Sequence, residues 1–303
     1  MLRRIDLGGE PLNLDFTFES GQIFQWRKAD GWWLGIVGTH ATMLRTEGGS
    51  LLVRSNPEAS EERIKEFMCL NVRYDDLAGG RSVDEFTSSL LQDYRGLRIL
   101  KQDPWSCLMS YIVSASLSIR AIDRVLGSIA SSCRELNVDG LSLRELPGPS
   151  DFLNVRRPRK RYLGRKWSYL RQAARDIDDG TLDFDEIRSL PYDVAWSSLV
   201  IAKESHVMGV GPKVADCLLL FSLDKPEAFP MDRWIMRGLQ RHYGWLVPER
   251  IATKLRNEGE ALTVREYEAV SQNVRSHFGK LGGLVQECLF LHMRTARPGR
   301  PSA

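Results

Sequence analysis

The chain has 303 residues, 43% hydrophobic and 27% charged, a size for about two domains and a balance that excludes a collagen-like or wholly disordered protein. Its longest apolar run is five residues, Cys217 to Phe221, too short for a membrane helix, and no apolar stretch follows the basic start, so no secretory signal is expected. Net charge is only +3, and the five scattered cysteines (69, 107, 133, 217 and 288) suggest neither a disulfide framework nor a metal or iron–sulfur cluster, which points to an intracellular, thiol-containing protein.

The first third reads as β. Leu12, Leu14, Phe16 and Phe18 alternate with polar residues, the period of a half-buried strand. Further strands are predicted over 22–28, 32–37 and 39–46, and Gly48-Gly49 reads as a hairpin turn into 51–54. The expectation is an antiparallel sheet of about five strands.

Near residue 60 the pattern turns helical. Ser82-Val83-Asp84-Glu85 reads as a capping box ahead of Phe86, Leu90, Leu91 and Tyr94. Asp103-Pro104 reads as a cap and first-turn proline. Helices are predicted over 120–132, 169–177, 193–203, 212–223, 232–243, 263–278 and 283–294, with a second capping box at Thr263–Glu266. The tail 297–303 is expected to be disordered. The fold class is α+β: an antiparallel β domain over 1–80, then a helical part over 81–296.

The stretch from Val207 to Cys217 carries the most information. Gly209 and Gly211 permit a tight turn with uncovered N–H groups, and Pro212 suits the first position of a helix. The result is a helix–hairpin–helix at about 193–223, whose turn meets a helix N-terminus that attracts phosphate. A plain αα-turn with a glycine C-cap is the competing reading. Lys213 falls in the first turn, where the helix dipole opposes an ammonium and favours the free amine that a nucleophile needs. Cys217 follows at i+4, so both side chains can face one pocket. Asp232 precedes Ile235, Met236 and Leu239 and reads as an N-cap; a carboxylate there can also stabilise positive charge on a reacting sugar.

With these residues in hand, the chain resembles the 8-oxoguanine DNA glycosylases of the helix–hairpin–helix superfamily. The resemblance rests on Gly209-Val210-Gly211-x-Lys213-Val214-Ala215-Asp216-Cys217 and on Pro230-x-Asp232. It extends to Ser20-Gly21-Gln22-x-Phe24-x-Trp26-Arg27, to Gln102-Asp103-Pro104-x-x-Cys107-Leu108 and to Gly283-x-x-Gln286-x-x-Leu289-Phe290. It implies a two-part helical glycosylase domain behind the sheet, and a bifunctional glycosylase/lyase of base excision repair that flips its target base out of the duplex. Lys213 would attack C1′ and Asp232 would stabilise the oxocarbenium-like transition state. Cys217 and Phe290 would sandwich the base, Gln286 would bind its pairing edge, and the Gly21 carbonyl would accept the N7 hydrogen that marks the lesion.

No cofactor or metal is implied, and the expected partner is double-stranded DNA containing oxidised guanine, met by a monomer with no membrane role. The resemblance places the protein in the nucleus of a eukaryote or the cytoplasm and nucleoid of a prokaryote. The hairpin residues Gly209, Val210 and Gly211 and the basic run Arg159, Lys160, Arg161, Arg165 and Lys166 are the candidate DNA contacts. The chain departs from the family pattern at Trp234, where a histidine is usual, and at Ser116-Leu117-Ser118, which replaces an Asn-rich turn. Ala121 replaces a cytosine-reading arginine, with Arg120 beside it, and Arg165-Lys166 replaces a tyrosine–arginine pair. Two other readings stand: a glycosylase for alkylated or deaminated bases, and a non-catalytic damage-binding protein. The Lys213–Asp232 combination argues against the latter, because binding needs neither.

Overall fold

Five strands form an antiparallel sheet: β1 (Leu2–Asp6), β2 (Arg27–Ala29), β3 (Trp32–Val37), β4 (His40–Glu47) and β5 (Ser50–Asn56), in the order β1-β5-β4-β3-β2. The computed structural model describes residues 2–78, 84–158, 163–200, 207–256 and 262–295. Ile5, Trp33, Leu44, Leu51 and Val53 point to one face, packed on Leu14, Phe18, Ile64 and Phe67. Trp32, Leu34, Ala41, Met43 and Leu52 point to the other, under the hairpin of β6 (Glu135–Val138) and β7 (Leu141–Arg144). A sheet covered on both faces needs apolar residues at successive positions, hence Trp32-Trp33-Leu34. The covering hairpin comes from well beyond the β domain in sequence, and no reading of the chain anticipated it.

Two predicted strands are corrected. Residues Leu14–Glu19 form a helix, not a strand, and β1 takes the expected strand's place in the five. Leu14 and Phe18 fit a helical repeat as well as an alternating one. Asn13 decides between them: its side chain accepts from Phe16 N at 3.0 Å and opens a helix. Of the strand over 22–28 only the end pairs, because Gly21 (φ +86°) and Gln25 (φ +64°) break the extended run.

The helices otherwise follow their caps. Asp103 accepts from Ser106 N at 2.8 Å and opens the helix Pro104–Ser114. Thr263 and Glu266 form the reciprocal box at the start of Val264–Phe278. The helix Glu85–Asp93 is capped by Asp84, which accepts from Thr87 N at 2.9 Å, rather than by Ser82, which lies outside the described residues. The tail 297–303 also lies outside them. Short helices at Glu61–Phe67, Tyr74–Ala78, Phe184–Ser189 and Glu249–Arg256 were not predicted. One core holds the helical part together, with Pro104–Ser114 packed on Pro212–Ser222 and Arg233–His242 on Gly282–Thr295. Among the described residues, no helix is long and apolar enough to cross a membrane.

Candidate active site

The hairpin is built by its glycines in two different ways. Gly209 has φ +86°, and a Cβ there would lie 2.6 Å from the Tyr169 ring, so conformation and space both demand glycine. Gly209→Ala is therefore expected to destabilise the fold by about 1–3 kcal/mol, read by denaturant unfolding. A change within about 0.5 kcal/mol, the range of an idle surface position, would show that the Tyr169 ring yields freely. Gly211 is extended (φ −91°, ψ 176°) and serves as the N-cap of the hairpin helix, Pro212–Ser222. No side chain caps this helix and nothing lies within 4 Å of a Cβ at Gly211, so the first-turn N–H groups are open to an anion. The Val210 N–H is not among them, since it donates to Val207 O at 3.0 Å.

Lys213 stands in that first turn, its ammonium 4.5 Å from the centre of the Tyr111 ring. The Cys217 thiol is its hydrogen-bond partner one turn on. Burial pushes that thiol up to about 12, so Cys217 is a neutral, apolar wall and not a thiolate. Asp232 caps the helix Arg233–His242, accepting from Trp234 N at 2.8 Å and Ile235 N at 2.9 Å. Asp216, one residue before Cys217, ties the two helix starts together. Its buried carboxylate accepts from Tyr192 and Tyr267 at 2.6 Å each, and Tyr267 in turn accepts from Met231 N at 3.0 Å. Burial raises Asp216 to about 6 in spite of both hydrogen bonds.

A second chain of contacts ties the N-terminal motif to the hairpin helix. Gln22 is fully buried, with its amide nitrogen on Thr17 O, Ser20 Oγ and Arg98 O and its oxygen accepting from Leu100 N at 2.7 Å. Gln102 donates to Gln22 O at 2.6 Å, while its own backbone meets Phe221 O and the Ser222 hydroxyl at 2.7 Å each. These bonds hold Gly21 in its left-handed conformation, and a Cβ there would lie 2.9 Å from the Phe290 ring. The Tyr111 hydroxyl donates to Gln22 O at 2.8 Å and lies 3.5 Å from Gly21 O, which leaves the Gly21 carbonyl weakly engaged.

The helix Gly282–Thr295 borders this region with Gln286, Glu287 and half-buried Phe290, over whose ring the Arg294 guanidinium lies at 5.1 Å. Glu287 interacts electrostatically with Lys213 and Asp232, and the Cys217 and Tyr111 groups feel its charge. The structure thus brings Gly21, Lys213, Cys217, Asp232, Gln286 and Phe290 around one buried region. Sequence reasoning missed Tyr111 and Glu287 there. Tyr111 has the spacing of an ordinary core residue. Glu287 had a signal, an acid inside the run Leu284–Leu291, which the neighbouring Gln286 overshadowed.

The candidate DNA contacts are less unified. Arg159, Lys160 and Arg161 lie outside the described residues. Arg165 is exposed at the start of the helix Lys166–Asp178. Lys166, expected at the DNA surface, instead reaches back to donate to Val113 O at 2.9 Å and Ala115 O at 2.5 Å. It satisfies carbonyls left open at the end of Pro104–Ser114, as a cation at a helix C-terminus does. Trp234 is 41% exposed two residues past Asp232, with the Arg237 guanidinium 5.7 Å from its ring.

Residues 4–108 match the model of the 8-oxoguanine DNA glycosylase N-terminal domain. The chain is 26% identical to the N-glycosylase/DNA lyase OGG1 of Arabidopsis thaliana over 295 residues, covering 92% of this chain and 77% of that one. It is 28% identical to a probable N-glycosylase/DNA lyase of Methanothermobacter thermautotrophicus, covering 96% of each. In structure it is similar to the Clostridium acetobutylicum 8-oxoguanine glycosylase/lyase solved with DNA containing cytosine opposite the lesion. That match has a TM-score of 0.77 at 25% identity and covers 94% of this chain and 92% of the other. A matching N-terminal domain model, relatives along nearly the whole chain and the hairpin with its lysine and capping aspartate agree: in sequence and in structure the chain is similar to the 8-oxoguanine DNA glycosylases.

Proposed function

We propose that this protein excises 8-oxoguanine from duplex DNA and then cleaves the strand at the emptied site. The observation that carries this reading is Lys213 in the first turn of an uncapped hairpin helix, sharing one buried region with Asp232. The Lys213 amine attacks C1′ and forms an N–C bond while the C1′–N9 bond breaks and its electrons leave with the base. The Asp232 carboxylate stabilises the positive charge that develops on the sugar. The attached amine then loses a proton and the C1′–O4′ bond opens, O4′ taking up a proton, to give a Schiff base at C1′; loss of a proton from C2′ next breaks the C3′–O bond and expels the 3′ phosphate by β-elimination. Cys217 and Phe290 hold the base between them, Gln286 binds its pairing edge, and the Gly21 carbonyl receives the N7 hydrogen. Phosphates meet the open N–H groups of the hairpin helix and the basic run that includes Arg159, Lys160, Arg161 and Arg165, wherever the cell keeps its genome. The test is borohydride trapping: a covalent adduct is expected on an 8-oxoguanine duplex and none on the guanine control. No adduct on the lesion would overturn the reading.

The surroundings of the base opposite the lesion lead to a further expectation. Ala121 has no donor, Lys166 is held by two carbonyls, and Ser116 and Ser118 are short. Without a bidentate contact, worth roughly 1–3 kcal/mol, little discriminates cytosine. Excision opposite cytosine, adenine, guanine and thymine is expected at rates within roughly tenfold, the scale of 1.4 kcal/mol. Single-turnover excision from four duplexes measures this. A preference for cytosine of about a hundredfold would show that Arg120 or Arg165 reads the opposite base.

A further inference from the structure

Two side chains that are adjacent in sequence each present an unpaired oxygen in the buried region beside Lys213. Gln286 and Glu287 are both 3% exposed, and neither Gln286 Oε1 nor Glu287 Oε2 has a hydrogen-bond partner. Buried polar oxygens are nearly always paired, so two together mark a place that a ligand completes. The Ser20 hydroxyl donates to Thr17 O at 3.1 Å and accepts from Gln22 at 3.0 Å, and it and the Gln286 side chain also engage the Glu287 carboxyl, which leaves Oε2 as its unpaired oxygen. Among the described residues, no cation comes within ion-pair distance of Glu287.

We propose that Glu287 is a second base-reading side chain, donating a hydrogen bond to the 6-oxo oxygen of the flipped base while Gln286 accepts from its N1–H. The inference rests on the glycosylase reading above and adds a specificity determinant to it. The pattern of one donor and one acceptor suits a 6-oxopurine and reverses what an adenine edge offers, an amino donor at C6 and an acceptor at N1. A donating carboxyl must keep its proton, and the surroundings favour that. Burial is the largest effect and holds Glu287 up at about 8. The Asp232 carboxylate acts in the same direction, while the neighbouring Cys288, Cys217 and Tyr111, held neutral by their own burial, bring no charge to bear on it. Hydrogen bonds from the Ser20 and Gln286 side chains and the Lys213 ammonium oppose burial and Asp232 without prevailing. Glu287 is therefore a donor at neutral pH and loses its hydrogen as pH rises through about 8.

The experiment compares single-turnover excision of 8-oxoguanine with that of 8-oxoadenine by the wild type, Glu287→Gln and Glu287→Ala, from about pH 6.5 to 9.5, a range spanning the proton loss. Taking the ratio of the two lesions cancels every pH effect that the two reactions share. The wild-type ratio should fall roughly tenfold across this range, the value of one buried hydrogen bond. Glu287→Gln, whose amide donates but does not titrate, should keep a high ratio with at most the fall caused by ionisation of the base itself. Glu287→Ala should show a ratio roughly tenfold lower at the acidic end and no further loss beyond that same ionisation of the base. Parallel pH profiles for wild type and Glu287→Gln would overturn the proposal, and so would a wild-type ratio that rises with pH. An unchanged ratio in Glu287→Ala would do the same. If Glu287→Ala fails to fold, the two pH profiles still decide. A wild type that removes neither base and traps no adduct would overturn the glycosylase reading as well, which separates the two failures.

Discussion

Lys213→Gln is expected to bind an 8-oxoguanine duplex, to form no borohydride-stable adduct, and to lose excision by roughly 10³-fold or more. Glutamine keeps much of the length of lysine but has no nucleophilic amine, so chemistry is removed while the side chain still fills space over Tyr111. The effect on stability should have the opposite sign. An ammonium in the first turn of the hairpin helix opposes its dipole, and removing it should leave the fold equally stable or gain about 0.3–1 kcal/mol. This combination of lost chemistry and undiminished stability is the mark of a residue kept for function. Thermal melting, lesion binding and trapping on one preparation measure all three. Trapping at the wild-type level would assign the Schiff base to another amine.

Asp232→Asn is expected to lower excision by roughly 10²-fold or more while the melting temperature hardly moves. The carboxylate accepts the N–H groups of Trp234 and Ile235, and an asparagine oxygen can accept the same two. It cannot offer a negative charge to an oxocarbenium-like sugar. Asp232→Ala removes both functions and should additionally cost about 0.5–2 kcal/mol of stability. Equal activity in Asp232→Asn and the wild type would leave the residue with its cap alone. Because Asp232 also helps keep Glu287 protonated, its replacement should extend the acid form of Glu287 less far into alkaline pH.

The sequence by itself determined those parts of the protein that depend on neighbours in the chain. The caps at Asp103, Asp232 and Thr263 were legible because a cap joins a side chain to N–H groups two or three residues away. The hairpin was legible because glycine, glycine, proline and lysine each solve a local problem of conformation or charge. Residues 12–18 were not, since Leu14 and Phe18 satisfy both periods and only the Asn13 contact with Phe16 N chose the helix. Tertiary structure alone decided whatever depends on distant partners. The hairpin Leu136–Leu143 covers the sheet from far along the chain, and Lys166 is drawn back onto the fold by carbonyls at Val113 and Ala115. The same holds for the pocket: nothing within a few residues of Glu287 says whether it faces water or a buried amine. Packing of Gly282–Thr295 against the hairpin helix and the Ser20–Gln22 turn makes it a buried carboxyl with one oxygen unpaired, because desolvation and Coulomb interaction depend on distance in space and not along the sequence.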